Sequence, residues 1–234
     1  SRESARAEAR GSAPNKGECS DVPPTVADTM DKFVLAHVGR FDRWRTPDVW
    51  FAGLQRFVER LGFDRQRFEL RIVGHIDVQT RAKIEAARVN YTCAGHVPHE
   101  QAIVEMMSAD ALLLNVPDGP NADSVIPAKL FEYLAAGRPV LVIGPRNGQA
   151  EQIVQSCDTG VTANFHPELI AAALGRLFSA WHLKRPLVGC ERSCLIPYDR
   201  IRLTGKLAAI LDRAINNAGS RIETARAPVE AGMR

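Results

Sequence analysis

The sequence predicts an α/β protein: a doubly wound, Rossmann-like parallel sheet of about six strands, with a further helix at its C-terminal end. Three observations predict this fold. Short apolar runs alternate with amphipathic stretches along most of the chain, which is the pattern expected when each helix connects two parallel strands. The apolar runs are continuous, which indicates strands buried on both faces. Proline or a capping residue opens several amphipathic stretches, as at helix starts.

The strands are the apolar runs, and several of them end at a glycine or just before a loop. The sixth is the weakest because it is short and contains few large apolar side chains. The predicted strands span residues 33–38, 68–73, 90–94, 110–116, 139–143 and 160–163.

The helices between the strands carry apolar residues at helical spacing. Thr46 is predicted to cap the first helix, because its side-chain oxygen can accept a hydrogen bond from a backbone N–H that has no partner within the helix. Pro47 suits the first helical position, because proline has no N–H and none is needed there. Pro127 opens the helix after the fourth strand, and Gly137 ends it. The predicted helices span residues 47–61, 77–88, 98–107, 127–136, 149–156, 169–181 and 198–215.

Four regions follow along the chain. Residues 1–31 lack a sustained apolar pattern and contain several prolines, which predicts a tail or linker. Residues 32–182 form the predicted sheet domain, and residues 183–215 a connector and the last helix. Residues 216–234 are predicted to be a disordered tail.

Composition limits the possible classes of protein. The 234 residues are 45% hydrophobic and 24% charged, which suits one good-sized globular domain. A net charge of +3 is too small to indicate nucleic-acid binding. No apolar run is long enough to span a membrane and no signal peptide is present, so a cytoplasmic protein is expected, with a peripheral place at the inner membrane face as an option.

The five cysteines are scattered, as expected for reduced thiols. Cys190 and Cys194 with His182 would provide only three of the four ligands that structural zinc takes, so ordinary thiols are favoured. The sequence predicts no metal site.

Ligands of such sheets lie at the carboxyl ends of the strands, where the strand order reverses. With the common order 3-2-1-4-5-6, this point lies between the first and fourth strands. The loop after the first strand is rich in arginine, and the loop after the fourth enters the helix that Pro127 opens. A helix start attracts phosphate, and a carboxylate one turn later, here Glu132, can accept two hydrogen bonds from a ribose diol. The cations expected there are Arg40, Arg43, Arg45 and Lys129.

Three other nucleotide-binding or signalling classes are excluded. The turn after the first strand begins at Gly39 and lacks the Gly-x-Gly-x-x-Gly pattern of dinucleotide sites. The chain has no Gly-Lys-Ser/Thr of a P-loop. Cys93 stands near the end of the third strand, where a receiver domain would have an acceptor aspartate.

Several motifs occur in a characteristic order. They are His37-Val-Gly-Arg40, Arg45-Thr-Pro47, Ile72-Val-Gly74, Ala94-Gly-His-Val97, Ala109-Asp-Ala-Leu-Leu-Leu114, Ile126-Pro-Ala-Lys-Leu-Phe-Glu-Tyr-Leu-Ala-Ala-Gly-Arg-Pro-Val140 and Glu151-Gln-Ile-Val. Over about residues 32–180 the chain therefore resembles the C-terminal, donor-binding half of a GT-B glycosyltransferase of family 4 (the group-1 glycosyltransferases).

The resemblance implies roles for individual residues. Arg45 and Arg40 are expected to bind the donor diphosphate and to act as the catalytic residues. Glu132 matches the second glutamate of the family's Glu-x7-Glu motif, which holds the ribose hydroxyls, whereas Ser124 replaces the first, which contacts the donor sugar. The remaining donor-binding positions are expected at Gly39, at Val97 near the base, and at Ala128, Lys129 and Leu130.

The resemblance also implies an activity: a retaining glycosyltransferase that moves a hexose from a UDP- or GDP-sugar to a saccharide or lipid-linked saccharide, as in polysaccharide biosynthesis. It implies no cofactor and no obligatory metal, and the chain has no Asp-x-Asp motif. The acceptor-binding N-terminal half is expected upstream, since these residues begin with Ser1 and do not include it. Two alternatives stay open: an isolated nucleotide-sugar-binding module without transferase activity, and an α/β domain whose site is inactive because of Ser124.

Overall fold

A computed structural model describes residues 31–44, 46 and 48–225, with residue 63 and residues 218–225 described by their backbone alone. Arg45, Pro47 and the predicted N-terminal tail as far as residue 30 lie outside the described residues, as does the chain after residue 225.

Strands and helices alternate through the described residues, close to the predicted positions. The strands are β1 (Phe33–Val38), β2 (Phe68–Val73), β3 (Asn90–Gly95), β4 (Ala111–Asn115), β5 (Val140–Ile143) and β6 (Gly160–Ala163). The helices are α1 (Asp48–Leu61), α2 (Val78–Ala86), α3 (His99–Ser108), α4 (Lys129–Ala135), α5 (Gln149–Ser156), α6 (Pro167–His182), α7 (Arg192–Leu195) and α8 (Arg200–Ala225). Short 3-10 turns occur at Gly62–Arg67, Ala122–Ser124 and Ile196–Tyr198.

The strands form one parallel sheet in the order β3-β2-β1-β4-β5-β6. This confirms the predicted fold class and the predicted strand order. The order reverses between β1 and β4, which pair through Leu35 with Ala111 and Ala36 with Leu112. The carboxyl ends of these two strands therefore border the crevice in which such sheets bind ligands.

Two apolar clusters cover the two faces of the sheet. Successive residues of a strand point to opposite faces, so β1 contributes Leu35 to one cluster and Ala36 to the other. One cluster joins the sheet to α1, α2 and α6, and the other joins it to α3, α4 and α5. Fully burying one large apolar side chain contributes about 1.5–3 kcal/mol, so these clusters provide most of the driving force for folding.

Most predicted helix ends lie within two residues of the observed ends, and three differences are informative. Thr46 does not cap α1: the helix begins at Asp48, and the Thr46 hydroxyl is buried without a hydrogen-bond partner among the described residues. Helix α4 is shorter than predicted because its first turn is tightened, with the Leu130 N–H bonded to the Pro127 oxygen at 2.9 Å. Helix α8 continues from residue 215, its predicted end, to Ala225.

None of the helices among the described residues is both long enough and apolar enough to cross a membrane. Helix α8 is the longest, at 26 residues, and it carries charged side chains along its length.

Candidate functional site

The end of β1 is joined to α4 by the side chain of Tyr133. Its hydroxyl is fully buried, accepts a hydrogen bond from the Val38 N–H at 2.8 Å and donates to the Val38 carbonyl oxygen at 3.3 Å. Burial raises the pKa of Tyr133 far above its usual value, so the hydroxyl keeps its proton. Helix α4 is therefore fixed against the strand that precedes the arginine-rich loop.

Two glycines set the direction of that loop. The Gly39 N–H donates to the Val73 oxygen at 2.7 Å, and Gly39 and Gly74 have φ angles of 135° and 134°. A Cβ atom on Gly74 would lie 2.1 Å from the Gly39 oxygen, which is closer than any real contact. The chain leaves β1 in this direction because its backbone can pack directly on the backbone at the end of β2.

Lys129 and Glu132 lie beside this loop. The Lys129 Nζ is 3.0 Å from a Glu132 carboxylate oxygen, and both side chains are partly exposed, at 31% and 41%. A Cβ atom on Gly39 would lie 3.7 Å from the Lys129 Cε, so the lysine stem runs close over the loop backbone. Three predicted site residues, Gly39, Lys129 and Glu132, are thus brought together at the reversal of strand order.

The start of α4 offers few backbone donors. The N–H groups of Leu130 and Phe131 already donate to the oxygens of Pro127 and Ala128, and the Leu130 side chain is fully buried. Ala128 and Lys129 precede them, in the part of the turn where helix N–H groups have no intrahelical acceptor. Since α4 has only seven residues, its dipole is small and binding of a diphosphate would depend on nearby cations.

Arg40 and Arg43 face the neighbouring loop after β2. The Arg40 side chain is 58% exposed, and its Nε lies 3.5 Å from the Asp42 carboxylate. The Arg43 N–H donates to Asp77 at 2.9 Å. Both arginines line an open cleft of about 420 Å³ with Trp44, His75 and residues 77–79. In this arrangement Arg40 points along the β1–β2 side of the crevice.

Asp77 anchors the β1 loop and caps α2. Burial acts to raise the pKa of its carboxyl group, but hydrogen bonds from the N–H groups of Thr80 and Arg43 and from the Thr80 hydroxyl outweigh it, so the pKa is lowered. The ionised carboxylate therefore holds the arginine-rich loop against the start of α2.

Two further predicted positions, Ser124 and Val97, lie in loops that follow strands of the sheet. Ser124 ends the 3-10 turn before α4 and is exposed, with its N–H bonded to Asp123 at 2.9 Å. Val97 follows β3 and is partly buried against the same apolar cluster as Leu130. Arg45, the residue predicted to bind the diphosphate, lies outside the described residues.

His37 is a core residue. It is 9% exposed, and its Nδ1 and Nε2 lie 3.0 Å from the Leu113 oxygen and 3.3 Å from the Arg40 oxygen. Because one of these oxygens belongs to β4 and the other to the β1 loop, the ring lies between the two edges of the crevice.

Asn115 is a site residue that the sequence pattern did not identify. It ends β4 at the reversal of strand order and is 8% exposed, and neither polar atom of its amide has a hydrogen-bond partner among the described residues. An unsatisfied buried amide is costly, which makes Asn115 a candidate contact for a bound molecule or a water. The sequence does contain one feature that could have identified Asn115: it is a polar residue directly after the apolar residues 111–114 of the predicted strand.

No family model and no curated protein matches this chain. Solved structures do resemble it. Anabaena Alr3699/HepE in complex with UDP-glucose gives a TM-score of 0.59 at 13% identity over 78% of this chain and 49% of that one. WaaG, a glycosyltransferase involved in lipopolysaccharide biosynthesis, gives a TM-score of 0.52 at 21% identity, over 66% of this chain and 40% of WaaG. The α,α-trehalose 6-phosphate synthase of Burkholderia multivorans gives a TM-score of 0.57 at 16% identity, over 80% of this chain and 44% of the synthase.

The chain spans less than half the length of each of these proteins. At such low identity, the likeness shows the fold. The parallel sheet with its C-terminal helix has the fold of one half of the GT-B architecture.

Proposed function

We propose that this chain is the donor-binding half of a retaining glycosyltransferase that transfers a hexose from a nucleotide-diphosphate sugar to a saccharide or lipid-linked saccharide. An acceptor-binding half would complete the cleft. The fold supports this proposal, and so does a structural neighbour, since Anabaena Alr3699/HepE was solved in complex with UDP-glucose.

One observation carries the proposal: the junction of the β1 loop and α4 at the reversal of strand order. Tyr133 fixes α4 to Val38, and the Lys129 stem lies over Gly39 with Glu132 beside it. A carboxylate, an ammonium group and the backbone of a glycine thus adjoin one another. This combination suits a ribose next to a diphosphate.

Each group would act on a different part of the donor. The Glu132 carboxylate would accept hydrogen bonds from the two ribose hydroxyls, which can compete for it because its pairing with Lys129 is partly exposed and therefore weak. The Lys129 ammonium and the N–H groups of Ala128 and Lys129 would bind the diphosphate. Arg40, after release from Asp42, and Arg45 would stabilise the charge that develops on the departing nucleotide diphosphate.

Donor binding tests the assignment on this chain alone. Isothermal titration with UDP and GDP should show binding that Glu132→Gln weakens by about 10- to 100-fold, because each hydrogen bond to a charged group contributes about 1.5–3 kcal/mol. Arg45→Ala should weaken binding of the diphosphates but alter binding of the free nucleoside much less. Glu59→Gln is the matched control, since Glu59 is an exposed helix carboxylate near the end of α1. Equal affinities for Glu132→Gln and the control would refute the site.

Transfer is tested separately, on the chain extended by the sequence that precedes Ser1. Incubation with labelled UDP- and GDP-hexoses should give a glycosylated product whose anomeric configuration, read by NMR, matches that of the donor. Nucleotide binding without turnover of any donor would favour a binding module instead.

A further inference from the structure

Three cysteines from separate parts of the chain meet on the α5 side of the sheet. Cys157 directly follows α5, Cys190 lies in the connector after α6, and Cys194 lies in α7. Their sulfur atoms all lie within 4.8 Å of one another, and all three residues are partly buried. The Cys194 thiol also points to the Cys157 backbone oxygen at 4.0 Å.

Packing of the connector holds Cys190 and Cys194 in place. Gly189 lies so close to the turn after α4 that a Cβ atom on it would be 1.9 Å from the Gly137 oxygen. Tyr198 packs on Phe131 of α4 with ring centroids 5.1 Å apart, and Leu195 packs on the apolar cluster beneath. Cys190 and Cys194 are therefore positioned by the packing of the connector, and Cys157 by its place directly after α5.

The arrangement matches what a thiophilic cation requires. Three thiolates around a tetrahedral Zn²⁺ with Zn–S distances of about 2.3 Å would be separated by about 3.8 Å. The observed sulfurs need to approach one another by about 1 Å at most, which small side-chain rotations can provide. A disulfide would use two of the sulfurs and leave the third unexplained.

We propose that Cys157, Cys190 and Cys194 form a binding site for a thiophilic divalent cation of the Zn²⁺ type. Each thiol releases its proton as its sulfur bonds to the metal, so one cation and three thiols give a tris-thiolate complex of charge −1 and three protons. A water molecule takes the fourth position. Sulfur ligands select Zn²⁺ over Mg²⁺ or Ca²⁺, which prefer oxygen.

The site has a structural consequence that is independent of the proposed donor binding. It would join the end of α5 to the connector that leads into α8, so bound metal would stabilise the path of the chain between the sheet and its last helix. The sequence predicts no metal here because the only ligand that it suggests beside Cys190 and Cys194 is His182, which leaves the set short of the four ligands of structural zinc.

Cobalt is the probe, since Co²⁺ replaces Zn²⁺ in thiolate sites and is coloured. The full chain, reduced and freed of metal by a chelator, is titrated with Co²⁺ without oxygen. The expected result is a thiolate-to-cobalt charge-transfer band that saturates at one ion per chain and is lost when Zn²⁺ is added. Cys157→Ser, Cys190→Ser and Cys194→Ser should each weaken Co²⁺ binding by at least about tenfold, while the double variant Cys19→Ser/Cys93→Ser keeps the band.

Alkylation of the unaltered chain gives a second measurement that does not depend on the folding of variants. Mass spectrometry should show that Zn²⁺ slows iodoacetamide labelling of the three clustered cysteines and leaves Cys93 labelling unchanged. The proposal is overturned by absence of the charge-transfer band, by its loss in the Cys19→Ser/Cys93→Ser variant, or by equal labelling with and without Zn²⁺.

Discussion

The hydroxyl of Tyr133 takes the place of a strand neighbour at the end of β1. It bonds to both the N–H and the carbonyl oxygen of Val38, in a position with no access to water. Tyr133 lies next to Glu132 in the chain, so the same turn of α4 carries the anchor and the proposed ribose ligand. This buried polar contact therefore helps to position the site, together with the buried apolar side chains of α4.

Tyr133→Phe should destabilise the protein by about 1–3 kcal/mol, because the Val38 N–H would be left buried without an acceptor. Urea unfolding followed by circular dichroism measures this difference. Tyr91→Phe is the matched control: its hydroxyl bonds to Glu85 at an exposed position, and its loss should cost less than about 0.5 kcal/mol. Equal losses in the two variants would contradict the role assigned to Tyr133.

The cost of Tyr133→Phe should also depend on pH. An unfolded tyrosine ionises near pH 10, whereas burial raises the pKa of Tyr133 in the folded protein. Its contribution is therefore fully present below about pH 10 and is lost as the pH rises above that value. The free-energy difference between the unaltered protein and Tyr133→Phe should be constant from pH 7 to 9 and shrink at higher pH. A difference that grows above pH 10 would contradict this assignment.

Some residues of this site can be predicted from the amino-acid sequence, and others cannot. Glu132 and Lys129 are visible in the sequence because they belong to a continuous motif after a predictable helix start. The role of Tyr133 depends on Val38, from which it is separated by 95 positions in the sequence, and that of Asn115 depends on its place at the reversal of strand order. Their chemical types alone do not reveal such contacts.

At the scale of elements, the crevice is shaped by where the chain leaves β1 and β2. The backbones of Gly39 and Gly74 are in contact there, with positive φ angles that other residues rarely adopt. Asp77 then fixes the β1 loop to the start of α2. The loop that carries the arginines is therefore positioned from both sides by the end of β2.

Gly74→Ala should destabilise the protein by about 3 kcal/mol or more, since the new methyl group meets the Gly39 oxygen and the φ angle is unfavourable for alanine. Thermal and urea unfolding measure the effect. Gly175→Ala in α6 is the control, because a Cβ atom there meets nothing within 4 Å. That substitution should stabilise the helix by about 0.5–1 kcal/mol. A Gly74→Ala variant as stable as the unaltered protein would show that this contact does not shape the crevice.

Element types were more predictable than element ends. Continuous apolar runs identify buried strands directly, and all six predicted strands occur in the sheet. Helix ends depend on local bonds instead: Thr46 has a capping side chain but turns it inward, one residue too early for α1. The end of α8 was placed too early because the polar residues after Ile215 resemble a tail yet continue the helix.

At the scale of the whole molecule, stability is concentrated in the sheet and the helices on its two faces. Residues 201–217 of α8 are all exposed and belong to neither apolar cluster. The helix nevertheless has exposed apolar residues at helical spacing, namely Leu203, Leu207, Ile210 and Leu211.

Leu207→Gln/Leu211→Gln should therefore change the free energy of unfolding of this chain by less than about 1 kcal/mol, about 0.5 for each exposed position. Leu174→Ala in α6 is the contrasting variant: Leu174 is fully buried, and its truncation should cost about 2–5 kcal/mol. Urea unfolding of both variants makes the comparison. A large loss from the α8 substitutions would show that this helix contributes to the core.

The long separation between Val38 and Tyr133 has a consequence for synthesis of the protein. A growing chain leaves the ribosome from its N-terminus, so 95 further residues must be synthesised after Val38 before Tyr133 is available to bond to it. Contacts so distant along the chain form slowly and late. A nascent polypeptide halted just before Tyr133 would contain the residues of β1 to β4 and part of the crevice, yet it would lack the anchor that we expect nucleotide capture to require.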